Sequence, residues 1–500
     1  MIPLFTLSPT AIISIILGYF VILIVISLLT SGKSDNQTFF SANQNSPWLL
    51  VAIGMIGASL SGVTFISIPG VVGAGGGNQQ FSYMQMVFGY LVGYFVIAAV
   101  LMPIYYKYKL TSIYGYLEER LGKTSYKTGA AFFLLSRLVG SAFRMYLVAL
   151  VFDRFVLGPL GIPFWLTVLI SIFLIWVYTF RGGIKTIVVT DVFQTVSMLT
   201  ALILTIVTIL NSLDISIAIT FETISNAGLS KLWFFDKGWN DPNNFFKQFI
   251  SGALIALVMT GLDQDMMQKN LTCRSLKDAQ KNMFLFTIIL VFANLLFLTL
   301  GALMYVYIDH MGITPPEKSD YLFPMLALEH LSPIVGVCFI VGITAANYAS
   351  ADSALTSLTT SFCIDFLNLN KSTKPEEEKT KVRTYVHIGF SVLIFLTIML
   401  FAIINNDAVV NNVFKAAGYT YGPLLGLFAF SILTKRAVLD KWVWLVCILS
   451  VVLSYVLDMY SEQLFFGLKL GYLNLALNGF LTFVGLWLIS GARALEQRVE

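Results

Sequence analysis

Thirteen long apolar runs, separated by short polar segments, dominate the hydrophobic pattern of this 500-residue chain. Each run has about 20 residues or more, the length that an α-helix needs to cross a bilayer. The predicted spans are 9–30, 47–76, 80–106, 128–155, 163–180, 186–211, 246–267, 283–309, 333–367, 385–405, 409–434, 441–459 and 472–491. The pattern therefore predicts an all-α integral membrane protein with about 13 transmembrane helices.

Composition supports the membrane assignment and excludes several function classes. The chain is 57% hydrophobic and only 12% charged, whereas soluble domains carry about 25% charged residues. The net charge of +4 gives no indication of a nucleic-acid partner. The four cysteines form no CxxC pair and the three histidines lack ligand spacing. No nucleotide-binding loop or catalytic triad is present, so we expect no enzyme activity and infer no obligate protein partner.

Basic residues predict the orientation in a cell membrane. Of the 31 Lys and Arg residues, about 22 lie in the C-terminus and in loops after odd-numbered spans, and about 7 lie on the other side. Basic loops are typically cytoplasmic. We therefore expect the N-terminus outside and the C-terminus in the cytoplasm, with the first span retained as a helix and not cleaved as a signal peptide.

The count of spans suggests an internal repeat. Spans 2–6 and 7–11 both number five, and an odd-numbered block repeated in tandem must be inverted in the membrane. The predicted units are 47–211 and 246–434 for the two repeats, 1–46 and 435–500 for peripheral helices with their polar ends, and 212–245 for an extracytoplasmic loop.

Span 2 contains residues that interrupt a helix. Gly57, Gly62, Pro69 and Gly70 are followed by a glycine-rich segment. Such breaks free backbone carbonyls, and broken spans often line ion or substrate sites in transporters. The alternative interpretation is a kinked helix that packs closely against a neighbour.

Span 9 is polar where a membrane helix should be apolar. The segment 341–365, VGITAANYASADSALTSLTTSFCID, carries many hydroxyl groups and the carboxylate of Asp352. Hydrocarbon offers these groups no partner, so they must contact protein, water or an ion. The alternative is a tightly packed helix whose hydroxyls bond to its own backbone.

Charged residues within other spans are further candidates. Asp191 in span 6 either holds a cation or forms an ion pair with Lys185 or a nearby arginine. Arg137 and Arg144 share one face of span 4. Arg144 lies near mid-bilayer, where it either receives an anionic substrate group or pairs with an internal aspartate such as Asp191, Asp263 or Asp352.

Three more residues are candidates for contacts with a solute. Asp263 in span 7 points to a different side of the helix from Asp265. Tyr83 and Gln85 begin span 3, in the predicted outer half of the membrane. This inventory of carboxylates, hydroxyls and freed carbonyls suits a hard cation such as sodium, which takes oxygen ligands.

At these residues the chain resembles the sodium/solute symporter family, which includes sodium-coupled sugar, proline, iodide and sialic acid transporters. The matching motifs are SGVTFISIPG at 61–70, GGIKTIVVTDVFQ at 182–194, QKNLTCRSLKDAQKN at 268–282, ASADSALTSLTTSFCID at 349–365 and AGYTYGPLLGLF at 417–428. The resemblance implies an inverted-repeat fold of the LeuT type, with alternating access around a site at the membrane midplane.

The resemblance also implies sodium ligands. A first sodium site would use the carbonyls of Gly57, Leu60 and Ala346 and the hydroxyl of Ser350. The family usually has a second hydroxyl where this chain has Ala349. A second site, present in some members, would use the carboxylate of Asp191 with Ser353, and Asp352 occupies a position where a serine can serve. We expect one or two sodium ions, and a proton at the second site is the alternative.

The resemblance further implies that Ser59, Ser61 and Thr64 line the central site. The match to sialic acid transporters includes Ser61, Thr64 and the position of Arg144, which favours an anionic organic solute. We therefore predict a sodium-coupled symporter that imports a small organic solute, such as a sialic or other sugar acid. A proton-coupled symporter using Asp191 and Asp352 is the alternative, and a membrane sensor with a transporter-like fold is the alternative from another class.

Overall fold

A computed structural model of the protein describes residues 8–31, 44–74, 77–236, 238–404, 409–465 and 467–491. The helices are, in chain order, α1 Pro9–Ser31, α2 Trp48–Ser59, α3 Gly62–Gly70, α4 Tyr83–Val96, α5 Met102–Lys107, α6 Gly115–Arg120, α7 Lys123–Phe152, α8 Phe164–Ser212, α9 Thr220–Asn226, α10 Phe245–Ala256, α11 Gln264–Leu271, α12 Leu276–Met311, α13 Leu322–Met325, α14 Pro333–Ser361, α15 Glu376–Ile404, α16 Val409–Thr420, α17 Gly422–Leu433, α18 Val443–Met459, α19 Ser461–Leu464 and α20 Asn474–Leu488. Two-residue strands β1 (Ala437–Val438) and β2 (Ser490–Gly491) pair antiparallel beside the last helices.

The membrane architecture agrees closely with the hydrophobic pattern. Within the described residues, nine helices are long and apolar enough to cross a membrane, and three bent helix pairs raise the number of spans to as many as 12. A shorter apolar helix, Phe164–Val177, falls on the fifth of the 13 predicted spans. The prediction of an all-α membrane protein is confirmed.

The connection between predicted spans 5 and 6 differs from the prediction. The sequence motif FRGGIK predicts a turn, but the backbone is helical throughout the 49 residues of α8. Glycine lowers helix propensity by only about 1 kcal/mol relative to alanine, which does not by itself end a helix. A straight helix of that length would measure roughly 74 Å, far more than the ~30 Å hydrocarbon core.

The bent pairs interrupt three spans at defined points. The axes of α2 and α3 meet at 52°, those of α16 and α17 at 45°, and the segment Phe245–Gly261 meets α11 at 62°. Between α2 and α3, Leu60 leaves the helical region with φ −80° and ψ 69°. The break predicted in span 2 is therefore present, and spans 2 and 7, which the predicted repeat would pair with each other, are both broken.

The break in span 7 was not predicted, although the sequence contains its signal. Asp263 is the N-cap of α11, where its side chain accepts hydrogen bonds from the backbone N–H of Asp265 at 2.9 Å and of Met266 at 3.4 Å. An aspartate that closely follows a glycine, here Gly261, is typical of a helix that stops and restarts.

Small residues bring the broken span 2 close to α8. A Cβ atom added to Gly57 would lie 2.4 Å from the hydroxyl oxygen of Thr195, and one added to Gly54 would lie 3.1 Å from the Cβ of Asp191. The Thr195 hydroxyl lies 2.9 Å from the carbonyl of Ile53. Both interpretations of the span 2 glycines therefore apply, since this span is broken and also closely packed.

Candidate functional site

A central cavity of about 80 Å³ lies beside the break between α2 and α3. That volume accommodates several water-sized groups. Side chains and backbone from spans 2, 3, 4, 7, 8 and 11 surround it. Its polar lining residues are Ser59, Ser61, Thr64, Tyr83, Tyr90, Tyr94, Arg137, Arg144, Thr260 and Asn294.

The structure brings together most of the predicted solute contacts in this cavity. Ser59, Ser61, Thr64, Tyr83 and Arg144 all line it. Sequence reasoning did not identify Tyr90, Tyr94, Thr260 and Asn294, which also line it. The sequence does contain a signal for Tyr90, because a residue seven positions after Tyr83 lies on the same helix face. The hydroxyls of Tyr83 and Tyr90 are 2.9 Å apart.

Gln85 is not among the residues that line the central cavity. Its side chain is buried and anchors the loop that follows α8: the amide nitrogen donates to the carbonyl of Asn243 at 2.8 Å, and the amide oxygen accepts from the N–H of Phe234 at 3.1 Å. A polar residue at the start of span 3 is thus engaged with the backbone of the chain itself.

Asp263 is also absent from the cavity lining. Besides capping α11, its carboxylate accepts a hydrogen bond from the hydroxyl of Tyr421 and lies 3.9 Å from the guanidinium of Arg137. These contacts join the two halves of span 7 to spans 4 and 11. The structure therefore gives Asp263 internal partners.

The two arginines of span 4 have different partners. Arg137 is 4% exposed and forms ion pairs with Asp265 and Asp263. Arg144 is partly exposed and lines the cavity, and no ion pair or hydrogen bond of its guanidinium is found within the described part of the chain. The ion pair with an internal aspartate, which was the alternative for Arg144, is thus formed by Arg137 instead.

An aromatic layer separates the central cavity from a second cavity, which we call the outer cavity. The ring of Phe414, which lines the central cavity, lies 6.4 Å from the ring of Tyr83 and 5.3 Å from that of Tyr472. Tyr472 lines the outer cavity, whose volume is about 520 Å³. The hydroxyl of Tyr472 is 2.7 Å from the side-chain oxygen of Asn411.

The candidate ligands of the first sodium site lie on two helices that pack together. Gly57 and Leu60 lie at the C-terminal end of α2, and Ala346 and Ser350 lie in α14. All four residues are buried. The hydroxyl of Ser350 donates to the carbonyl of Asn347 at 3.1 Å, which leaves its oxygen lone pairs available to a cation.

The candidate second site contains a buried ion pair that the sequence did not predict. The ammonium of Lys269, in α11, lies 2.6 Å from the carboxylate of Asp191, and the two side chains are 1% and 0% exposed. The partners that the sequence suggests are Lys185, whose side chain lies outside the described residues, or a nearby arginine. Asp352 and Ser353 are buried in α14, and Asp352 also interacts electrostatically with Lys269.

Several buried polar atoms near this pair have no hydrogen-bond partner within the described residues. They include Oδ1 of Asp191, the hydroxyl of Ser353 and both amide atoms of Gln194. Buried polar groups usually have partners. These atoms therefore offer free hydrogen-bonding groups for a polar ligand or a water molecule.

Known proteins resemble this chain over most of its length. The family model described as the sodium:solute symporter family matches residues 39–440. The sodium/sialic acid symporter SiaT of Proteus mirabilis is 25% identical over 437 residues, which are 85% of each chain. The human sodium/iodide cotransporter is 23% identical over 415 residues, which cover 81% of this chain and 62% of that protein.

Solved structures agree on the fold. A Na⁺-coupled sialic acid symporter in a substrate-bound outward-open state superposes with a TM-score of 0.80 at 20% identity, covering 95% of this chain and 97% of the other. Mhp1, a nucleobase-cation-symport-1 family transporter in a closed conformation, gives a TM-score of 0.51 at 15% identity, covering 88% and 91%. The fold is thus the LeuT-type inverted repeat with broken helices.

Proposed function

Because the chain belongs to the sodium:solute symporter family, and so couples solute transport to sodium, we propose that its solute is a small organic anion of the sialic or sugar acid class. The observation that carries this proposal is the guanidinium of Arg144, which lines the central cavity without an ion-pair partner in the described part of the chain. Family membership also favours sodium over the proton-coupled alternative and identifies a transporter, not an enzyme.

A carboxylate would complement this arginine in charge and in shape. An arginine within a membrane span is costly unless it has an anionic partner or water. Both arginines line the cavity, but Arg137 is paired with two aspartates, whereas no ion pair of Arg144 is found in the described part of the chain. Guanidinium binds carboxylate with two parallel hydrogen bonds, so a bound acid would satisfy both the charge and the donors of Arg144.

The remainder of the cavity suits the hydroxyl groups of a sugar acid. Ser61, Thr64, Thr260 and Asn294 supply neutral donors and acceptors around the arginine. A site built from such groups discriminates strongly against ligands that leave them unpaired. Support also comes from two bacterial relatives that are sodium/sialic acid symporters, and we extend their solute class to this chain as part of the proposal.

Uptake into proteoliposomes tests the proposal. We expect radiolabelled sialic acid to accumulate under an inward sodium gradient and not under a potassium gradient of equal ionic strength. Unlabelled sialic acid should inhibit this uptake, whereas its methyl ester, which lacks the negative charge, should inhibit at least about ten-fold more weakly because one charge-assisted contact is lost. Equal inhibition by the acid and the ester would refute an anionic solute.

We place the coupled sodium ion between α2 and α14, on the carbonyls of Gly57, Leu60 and Ala346 and the hydroxyl of Ser350. The packing of the two helices and the free lone pairs of the Ser350 oxygen support this placement. At the second candidate site, the ammonium of Lys269 already neutralises Asp191. A sodium ion held by Asp191, Asp352 and Ser353 would therefore compete with that ammonium.

Ser350→Ala should weaken the response of the protein to sodium. Removing one oxygen ligand is expected to raise the sodium concentration for half-maximal thermal stabilisation about ten-fold, which corresponds to roughly 1.4 kcal/mol. The measurement is a thermal melt of detergent-solubilised protein, with potassium replacing sodium at constant ionic strength. Ser357→Ala, which removes another buried hydroxyl bonded within α14 at 3.0 Å, is the control and should leave the sodium titration unchanged. An unchanged titration in Ser350→Ala would exclude this residue as a ligand.

For the direction of transport, we propose that the N-terminus and the outer cavity face the exterior and that the solute is released to the cytoplasm. The distribution of basic residues supports this orientation, because about 22 of the 31 Lys and Arg residues would then be cytoplasmic. Sodium enters down its gradient in this direction and drives the accumulation of the solute. We retain 47–211 and 246–434 as the proposed limits of the two repeats.

A further inference from the structure

The outer cavity gathers basic side chains that the central site does not use. Lys247, Lys415 and Lys469 line it, together with the carboxylates of Asp458 and Glu462. In the proposed orientation, about 7 Lys and Arg residues lie on the outer side of the protein. Three of them therefore share one cavity, which lies directly behind the aromatic layer over the central site.

The two carboxylates in this cavity do not neutralise all three lysines. Glu462 pairs with Lys469 at 2.9 Å. Asp458 accepts a hydrogen bond from the hydroxyl of Tyr419 at 2.6 Å. Lys247 is 4% exposed and its ammonium donates to the backbone carbonyl of Lys469 at 2.9 Å, so a neutral oxygen is its partner. The charges that line the cavity sum to +1.

Lys415 is the side chain best placed to meet an incoming anion. It is exposed, and no ion pair of its ammonium is found among the residues that the structure describes. It follows Phe414 directly in α16, and Phe414 forms part of the aromatic layer. The ammonium of Lys415 and the aromatic ring of Phe414 thus lie on the same turn of α16. The axes of α16 and α17 meet at 45°.

From this geometry we propose that the outer cavity is a recruitment site for the carboxylate of the transported anion, with Lys415 as its main contact and Lys247 as a second positive charge. The cavity volume of about 520 Å³ is in the range of small-molecule sites. The net positive charge of the cavity lining attracts anions and raises their local concentration. The inference rests on the proposed anionic solute and on the proposed orientation.

The electrostatic part of the proposal can be tested without knowing the solute. Gln79 lines the outer cavity, is partly exposed and makes no side-chain hydrogen bond to any residue that the structure describes, so Gln79→Cys places a reporter thiol there. Reaction rates are measured at low salt with an anionic sulfonatoethyl and a cationic trimethylammonioethyl methanethiosulfonate, each relative to a free thiol in solution. The native cysteines are buried or half-buried, and the protein without the reporter corrects for any reaction at them.

We expect the anionic reagent to react faster than the cationic one at the reporter. Lys415→Gln should lower the ratio of the two rates about five-fold, as expected for removal of one unit charge roughly 8 Å away in water. Lys318→Gln, which removes an exposed lysine that does not line the cavity, should leave the ratio unchanged. A ratio that is the same in the parent and in Lys415→Gln would overturn the proposal.

A second arm identifies the anion that is recruited. Sialic acid should slow the reaction of the anionic reagent at the reporter more than an equal concentration of chloride does, and Lys415→Gln should abolish that protection. Equal protection by chloride would mean that the cavity attracts any anion and would overturn the recruitment of a carboxylate. These results are independent of uptake, so failure of the central-site proposal would appear as equal inhibition of uptake by sialic acid and its methyl ester, not as a changed rate ratio.

Discussion

Lys269→Met is expected to cost about 3–5 kcal/mol of folding free energy, the usual effect of removing one partner from a buried ion pair. The ammonium of Lys269 lies 2.6 Å from the carboxylate of Asp191, and neither side chain is more than 1% exposed. Without it, the buried carboxylate of Asp191 would lose its countercharge, and one of its oxygens already has no hydrogen-bond partner among the described residues. Thermal melts in detergent would measure the loss as a lower midpoint and as poorer recovery of folded protein.

Two further variants separate this effect from other consequences of losing a lysine. Combining Lys269→Met with Asp191→Asn removes the stranded charge as well, and should recover most of the lost stability. Lys231→Met removes the lysine of an exposed pair with Asp236, whose side chains are 41% and 63% exposed, and should change stability by less than about 1 kcal/mol. If the double variant is as unstable as Lys269→Met, charge pairing is not the cause.

The ion pair illustrates how far the sequence alone could identify interactions. The sequence indicates that burying the charge of Asp191 costs free energy, because a carboxylate within an apolar run has few possible partners. Its partner could not be assigned, because Lys269 lies 78 residues away and reaches Asp191 only because span 7 breaks. Lys185 is the basic residue nearest to Asp191 in the sequence, so it is the partner that sequence proximity alone suggests. Pairing between helices depends on their packing, which hydrophobic periodicity does not specify.

The fold was more predictable than the site. Span length and apolar content depend on the bilayer and are readable one segment at a time, so most helices overlap the predicted spans, although α8 runs through two of them. Gln85 shows the contrast. A polar residue at the start of span 3 suggests a solute contact, yet its amide binds the backbone of the loop after α8. A long loop has no periodicity from which its return to the helix bundle could be inferred.

Arg144→Gln should raise the KM for sialic acid uptake about 100-fold while leaving the protein folded. Loss of a two-pronged bond between guanidinium and carboxylate removes roughly 3 kcal/mol of binding free energy. No partner of Arg144 within the described part of the chain would be left unpaired, so the thermal midpoint should be unchanged or slightly higher. Sodium-driven uptake in proteoliposomes gives KM, and thermal melts give stability.

Matched variants make the role of Arg144 distinguishable from a structural one. Arg144→Lys keeps the charge but not the two-pronged geometry, so its KM should rise by only about ten-fold. Arg137→Gln would leave Asp263 and Asp265 buried without their cation, and should therefore destabilise the protein by about 3–5 kcal/mol. If Arg144→Gln proved as unstable as Arg137→Gln, Arg144 would have an internal partner, and the anionic solute would lose its main support. A folded variant with altered uptake of the acid alone would instead identify Arg144 as the residue that selects for the charge.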